Sequence, residues 1–267
     1  MDREDIKFTV ITVCYNSEKT IQRTLQSIKD QTYKNIEYII IDGGSKDKTL
    51  EIISNYNDIV NILVSEPDNG IYDAMNKGIK LATGDYIGFL NSDDYYTNDI
   101  FEEYSKALIK RSYDFIYSDS IFFDQKKQWT FNCPDYNTKR FDKLLTKYNP
   151  FCHQTLYVKN EVFNQIGYFD TTFKIAADYD FILRIRHSAN HYQGKYLQVI
   201  GCYFNMTGAS SQFFKSRVES VYCRIKNKYS FVYSWYIFCK LSFFYFIQKI
   251  PLIRKTKEVI KRQINIC

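Results

Sequence analysis

A short apolar strand running straight into paired acids constrains this chain most. In Gly84-Asp-Tyr-Ile-Gly-Phe-Leu-Asn-Ser-Asp-Asp-Tyr96, the stretch Tyr86 to Leu90 leads directly to Asp93 and Asp94. Near-continuous apolar strands are usually buried on both faces of an α/β sheet. Ligands of such sheets gather at the carboxyl ends of the strands. Two carboxylates placed there repel each other and stay ionised most readily by sharing a cation, and hard oxygen donors suit Mg²⁺ or Mn²⁺. An ion held that way typically bridges the phosphates of a nucleotide. The same residues also make an ordinary Asx-type turn closing a strand, so the neighbouring segments must decide.

Those segments alternate. Phe8 to Val13 reads as a first strand, followed by a helix over Glu18 to Asp30 with Ile21, Leu25 and Ile28 at helical spacing and Ser17 as N-cap. Glu37 to Ile41 is a second buried strand, and Asp47 caps a helix through Leu50, Ile52 and Ile53. Ile59 to Val64 is a third strand, Ile71 to Ala82 a helix, and Tyr86 to Leu90 a fourth strand. This rhythm predicts a mostly parallel sheet with right-handed crossovers. After Asn98 the order loosens. It leaves a helix over Asp99 to Lys110, a strand at Phe115 to Ser118 and a hairpin-like stretch through Trp129. A strand at Leu156 to Val158, helices over Glu161 to Ile166 and Asp178 to His187, and further sheet over Asn190 to Ile200 follow.

In a parallel sheet the exits Thr12-Val-Cys-Tyr-Asn16 and Asp42-Gly-Gly-Ser45 fall beside the acidic doublet. Tyr15 offers a flat face to a base, and Asp42 an acceptor for a base imide or a ribose hydroxyl. Gly43 and Gly44 let backbone approach a ligand. Each is also what a strand-to-helix turn needs regardless; their convergence on one sheet edge favours a nucleotide site. In the next helix Asp73, Asn76 and Lys77 share a face. There Lys77 is placed to meet a phosphate and Asp73 a sugar or ribose, or the face is simply solvated. Asp178 sits near a helix N-terminus, where it either caps or serves as general base to an acceptor hydroxyl. His153 and Gln154 lie in a loop before a strand, in reach of a diphosphate or an acceptor, though a lone histidine there is more often structural.

The 267 residues suit one large domain or a domain with an appendage. No stretch reads as a cleaved signal peptide, since Met1 to Lys7 is charged. Seven scattered cysteines without a CxxC pair suggest neither zinc nor a disulfide framework, and they fit a reducing cytoplasmic setting. The net charge of +6 hides a split: from Phe213 onward the chain carries +10, and the remainder −4. Such a tail calls for an anionic partner, nucleic acid or phospholipid. Phe231 to Ile247 is aromatic and interrupted by Lys240, slightly short of the roughly 20 apolar residues that span a bilayer. Aromatics flanked by Lys and Arg suit a helix lying in the membrane interface, with a helix packed on the body as the alternative.

Taken together, Thr12-Val-Cys-Tyr-Asn16, Ile39-Ile-Ile-Asp-Gly-Gly-Ser45, Gly70-Ile-Tyr-Asp-Ala-Met-Asn-Lys77, Gly84-Asp85, Leu90-Asn-Ser-Asp-Asp94 and Ala177-Asp-Tyr-Asp180 resemble family 2 glycosyltransferases, closest to bacterial members that build surface polysaccharides. The resemblance spans roughly Phe8 to Ser211. It implies a GT-A fold, an α/β architecture with a Rossmann-like sheet flanked by helices. The expected division is a catalytic domain over 1–212, with a nucleotide-sugar half to about 98 and an acceptor half beyond, and a basic aromatic helical tail over 213–267. It further implies a divalent cation, Mn²⁺ or Mg²⁺, a nucleotide-diphosphate sugar, a glycan or lipid-linked acceptor, and inversion at the anomeric carbon. On that resemblance Thr12, Tyr15, Asn16, Asp42, Gly43, Asp73, Lys77, Asp85 and Asp93 surround the nucleotide sugar. Asp93 and Asp94 hold the metal, His153 and Gln154 meet acceptor or diphosphate, and Asp178 is the base. Asn91 stands where many members carry Asp, and Ala177 where many carry Glu. The expected location is the inner face of a bacterial plasma membrane, with no nucleic-acid partner.

Rival readings lack their residues. A nucleotidyltransferase wants a Gly-rich basic phosphate loop after the first strand, and a dinucleotide oxidoreductase wants G-x-G-x-x-G there. A non-catalytic sugar-nucleotide binder has no need of a base at Asp178. A processive synthase wants a Gln-x-x-Arg-Trp motif and spanning helices.

Overall fold

The computed structural model describes residues 5–207 and 213–249. The last residues of the expected catalytic part and the basic stretch 250–267 of the expected tail lie outside the described residues. Strands β1 (Phe8–Cys14), β2 (Ile36–Asp42), β3 (Ile62–Ser65) and β4 (Tyr86–Phe89) pair in parallel in the order β3-β2-β1-β4. Helices α1 (Ile21–Lys29), α2 (Thr49–Ser54) and α3 (Ile71–Leu81) make the crossovers. The alternation read from sequence up to residue 98 is therefore present, with strand and helix ends displaced by a few residues.

Beyond β4 the sheet is mixed. The order continues through β8 (Tyr157–Lys159), β6 (Phe115–Phe123), β9 (Gly194–Asn205) and β5 (Tyr95–Tyr96), and β7 (Gln128–Phe131) forms a hairpin with β6. β8 is antiparallel to both β4 and β6, whereas β6 and β9 are parallel. The all-parallel arrangement thus belongs to the first half, and the second mixes antiparallel pairs with the parallel β6–β9 pair. The helices there are α4 (Ile100–Lys110), α5 (Lys139–Leu145), α6 (Asn160–Ile166) and α7 (Ala177–His187).

Period-two alternation sends successive residues of each strand to opposite faces. From β1, Ile11 and Val13 enter one apolar cluster with α3, α6 and α7, while Phe8 and Val10 enter the other with α1 and α4. Gly88 permits the tight centre of this sheet, since a Cβ there would lie 2.4 Å from the Tyr157 ring.

Helices α8 (Phe213–Lys226) and α9 (Phe231–Lys249) follow. α8 is docked on the body by polar contacts. The Glu219 carboxylate accepts the backbone N–H groups of Lys174, Ile175 and Ala176 at 2.7–3.1 Å, just ahead of α7. Asn227 donates to the fully buried Asp180 at 2.8 Å. The buried Arg224 donates to the carbonyls of Lys147 and Ser234. The start of the expected tail is therefore packed on the body. Among the described residues no helix is long and apolar enough to cross a membrane.

Candidate active site

Strand register decides what meets at the carboxyl edge. Cys14 pairs with Asp42 and Asp42 with Ser65, while Ile11 pairs with Phe89 just before Leu90. A cleft of about 1060 Å³ opens over these ends. The first half of the chain lines it with Tyr15, Asn16, Asp68 and Asp93, and the second half with Asn149, His153, Gln154 and Asp178. Tyr15 is 61% exposed, so its ring face is available. Asn16, at φ 48°, ties the two exit loops together: its N–H donates to Ser45 Oγ at 2.8 Å and its Oδ1 accepts from Lys46 N at 2.9 Å.

Several expected site residues do not line this cleft. Asp42 is fully buried, and its oxygens accept from Gly44 N, Ser45 N and Ser65 Oγ on one side and from Ser45 Oγ and Cys14 Sγ on the other. Burial pushes its pKa up, but the bonds from Ser45 and Ser65 outweigh that and leave it below the ordinary value. It shapes the loop rather than offering an acceptor. Gly43 acts by absence, because a Cβ there would come within 2.6 Å of Asp68 Oδ2. Thr12 points into the core and accepts from Tyr38 Oη at 3.0 Å. Lys77 pairs with Glu66 at 2.8 Å, and Asp73 accepts from Asn69 N at 3.0 Å, so both brace the 66–70 turn. Asp85 precedes β4 and accepts from Lys7 N at 3.0 Å. It sits at the amino end of the strand, about 13 Å from the carboxyl edge for four residues at 3.3 Å each.

Asp178 lies in the first turn of α7. Asn149 Nδ2 donates to its Oδ2 at 3.0 Å. Tyr72 Oη lies 3.1 Å from its Oδ1 and 2.7 Å from the Ile175 carbonyl. His153 Nδ1 stands 3.9 Å from Oδ2. Burial pushes the His153 pKa down against the pull of Asp178, which favours the neutral imidazole. Asp68, Tyr72 and Asn149 escaped the sequence reading. No local pattern marks them as site residues: Asp68 follows Pro67, Tyr72 lies in α3 and Asn149 precedes Pro150.

The acidic doublet divides. Asp93 lines the cleft, with burial raising its pKa and Arg23 drawing it back. Asp94 is fully buried: Oδ1 accepts from Asn205 N at 2.7 Å and Oδ2 from Gln154 Nε2 at 2.5 Å. Burial, and then the neighbouring Asp93, push its pKa well above the usual carboxylate range. The expectation that both acids face one ion is therefore corrected, because Asp94 knits β9 and the 153–155 turn to the loop. That turn is a 3₁₀ segment, and its Gln154 is buried as part of this brace.

The donor set that remains still fits a hard cation. Asp93 supplies one carboxylate, and Asn91 Oδ1 is buried in the same loop without a hydrogen-bond partner. Among the described residues no cluster of three or more His, Cys, Asp or Glu forms a cage. Mg²⁺-type sites often use one or two carboxylates and complete the shell with phosphates and water.

The sequence profile of Glycosyl transferase family 2 matches residues 9–167. A PGL/p-HBAD biosynthesis glycosyltransferase of Mycobacterium tuberculosis is 30% identical over 209 residues, 76% of this chain and 78% of the relative. An uncharacterized glycosyltransferase of Rickettsia typhi is 33% identical over 180 residues, 64% of this chain and 56% of its own length. Among solved structures, S. aureus TarS 1-349 in complex with UDP-GlcNAc superposes with a TM-score of 0.64 at 19% identity, over 88% of this chain and 71% of that one. The chain spans 42% of the longer S. aureus TarS chain. The mannosyltransferase PcManGT from Pyrobaculum calidifontis, in complex with GDP-Man and Mn²⁺, gives 0.61 at 15% identity, over 95% and 84%. At such identities the likeness to solved structures is one of fold.

Proposed function

The chain belongs to glycosyl transferase family 2 and is a glycosyltransferase of GT-A fold, and on that premise we propose that it works by inversion. The donor is a nucleotide-diphosphate sugar, and the acceptor is a hydroxyl of a glycan or lipid-linked saccharide in cell-surface polysaccharide synthesis. The observation that carries this reading is the shared cleft: Tyr15, Asp68 and Asp93 on the β1–β4 side face Asp178 of α7.

The nucleotide base stacks on the exposed Tyr15 ring, and the Asp68 carboxylate beside it accepts from the base or ribose. Asp93, with Asn91, would hold a divalent ion at this edge. When bound, that ion supplies positive charge against the leaving group. Asp178, oriented by Asn149 and Tyr72, takes the proton of the attacking hydroxyl. Positioned base catalysis of this kind contributes about 10²–10⁴-fold. His153, neutral beside Asp178, donates or accepts at the acceptor side. A single displacement needs no enzyme nucleophile.

We assign residues 1–212 to catalysis and 213–267 to a C-terminal part whose described helices are α8 and α9. α8 serves the body, and α9 faces the inner leaflet of a bacterial plasma membrane. The test is donor turnover: purified protein with Mn²⁺ and a panel of nucleotide sugars should hydrolyse one of them slowly and transfer it faster once acceptor is added. Asp178→Asn should bind the same donor without transfer. Binding of donor with no turnover by the wild type leaves only a sugar-nucleotide-binding protein.

A further inference from the structure

An aromatic row leaves the cleft along the curled half of the sheet, and the reaction described above makes no use of it. In strand register Phe204 of β9 faces Phe122 of β6, and Phe122 faces Trp129 of β7. Directly paired residues project to the same side of a sheet, so the three rings form one line across three strands. Their centroids lie 4.8 Å apart between Phe204 and Phe122 and 6.1 Å between Phe122 and Trp129. Phe131 stacks on Phe122 at 4.8 Å and 10°.

The two ends of the row differ. Its inner end adjoins the proposed base: the Phe204 ring is 6.4 Å from the His153 ring, and His153 Nδ1 is 3.9 Å from Asp178. Phe204 and Phe122 both line the cleft. Its outer end is Trp129, 42% exposed on a hairpin strand that pairs with β6. A tryptophan gains much from full burial, so packing of the sheet alone gives no reason to present it to solvent at the end of a track leading into the site.

We infer that this row binds the saccharide chain of the acceptor behind the hydroxyl that Asp178 deprotonates. The inference rests on the transferase reading and adds the acceptor's class: an oligosaccharide rather than a lone sugar or a bare lipid. Across three strands spaced about 4.8 Å the row covers roughly 10 Å, on the order of two sugar rings. The apolar face of a pyranose carries weakly positive C–H groups, which rest favourably on the negative face of an aromatic ring. Its hydroxyls remain turned to water and to the polar rim of the cleft at Asn205 and Thr207. The rings are tilted to one another, Phe122 at 40° to Phe204 and 62° to Trp129, so they offer separate aromatic surfaces to successive sugar rings. An alkyl chain gains nothing from them that branched aliphatic side chains would not supply equally.

The experiment uses the full chain with Mn²⁺ and the nucleotide sugar it hydrolyses, offered to mono-, di- and trisaccharide probes on a glycan array and to alkyl glycosides. The expected result is that KM falls roughly tenfold from mono- to trisaccharide, the scale of aromatic stacking. Trp129→Leu erases that dependence and Trp129→Tyr keeps most of it. Equal length dependence in wild type and Trp129→Leu overturns the inference, as does Leu substituting as well as Tyr. Transfer that improves only with alkyl length assigns the row to lipid and overturns it too, and so does donor hydrolysis with no saccharide modified. Absence of any donor turnover is a different failure: it removes the transferase reading itself, and this inference with it.

Discussion

Asn149 Nδ2 donates to Asp178 Oδ2 at 3.0 Å, and this contact joins the loop before Pro150 to the helix that carries the proposed base. With Tyr72 3.1 Å from Oδ1, each carboxylate oxygen has one hydrogen-bond partner, and His153 Nδ1 stands 3.9 Å from Oδ2. The helix is held from behind as well, since Glu219 of α8 accepts three backbone N–H groups at its start. Contacts of this kind fix the orientation of the carboxylate.

Asp178→Asn preserves shape and removes basicity. Its kcat should fall by about 10²–10⁴, with donor affinity from calorimetry within a few-fold of wild type. Asn149→Ala keeps the base but frees its rotamer, so a smaller fall, about tenfold, is expected with unchanged donor binding. Comparable turnover in Asp178→Asn would remove the base assignment.

The divided doublet makes opposite demands on two adjacent residues. Asp93→Asn should leave Tm nearly unchanged and raise the Mn²⁺ concentration needed for half-maximal activity by tenfold or more. Asp94→Ala orphans the Asn205 N–H and the Gln154 amide, each a buried donor worth about 1–3 kcal/mol when left unsatisfied. Its signature is a drop in Tm. Thermal melts and metal titrations on both variants check the division, and an exchange of the two phenotypes would refute it.

These two acids also show how far sequence could be read. The strands β1, β2 and β4 and the crossover α3 were legible because apolar runs and helical spacing report burial directly. That Asp93 and Asp178 serve one reaction was implied by the family resemblance, and both line the same cleft. The facing of Asp42 and Asp94 was not legible. Both carry motif residues at the right strand ends, but each is saturated by partners such as Ser65 and Asn205, 23 and 111 residues away. Asp85 was misplaced because a motif gives order along the chain and not the end of the strand. The two-residue β5 leaves too little periodicity to detect. β8 reads as a strand at Leu156 to Val158, but its antiparallel pairing with β4 and β6 carries no local signal, so the mixed order of the second half stayed hidden.

At the amino ends of the strands, away from the cleft, Glu37 offers a stability test independent of catalysis. Burial would raise its pKa, but bonds from Thr83, Thr9 and Lys7 outweigh this and lower it from 4.5 to about 2. A carboxylate depressed in the folded state contributes stability that is complete above pH 4.5 and is lost as pH falls toward 2. The contribution is on the order of 3 kcal/mol. Glu37→Gln should therefore lower stability at neutral pH and flatten the acid limb of denaturant midpoints measured across that range. An acid limb identical to wild type would contradict it.

On the proposed reading, the C-terminal helices separate catalysis from surface attachment. Val232, Tyr236, Phe243 and Phe246 are exposed along α9 at helical spacing, while Ile237 and Ser234 face inward. The sequence beyond residue 249 adds Arg254, Lys255, Lys257, Lys261 and Arg262. Such a stripe should enter a bilayer interface, with the basic residues favouring anionic lipid. Replacing Tyr236 and Phe243 together by Ser removes about 1.5–3 kcal/mol of transfer per side chain. Partitioning onto phosphatidylglycerol vesicles, measured by co-sedimentation, should then fall at least tenfold while kcat on a water-soluble acceptor stays unchanged. Glu219→Ala should do the reverse, because it loosens the start of the Asp178 helix: kcat falls, donor affinity holds and partitioning is retained. Truncation at residue 212 should lose both properties, since it removes the Glu219 clamp together with the stripe, whereas truncation at 230 should lose only the second. Equal sedimentation of the Tyr236/Phe243 double variant and wild type would leave α9 as a packing helix, with its aromatic face meeting something other than lipid.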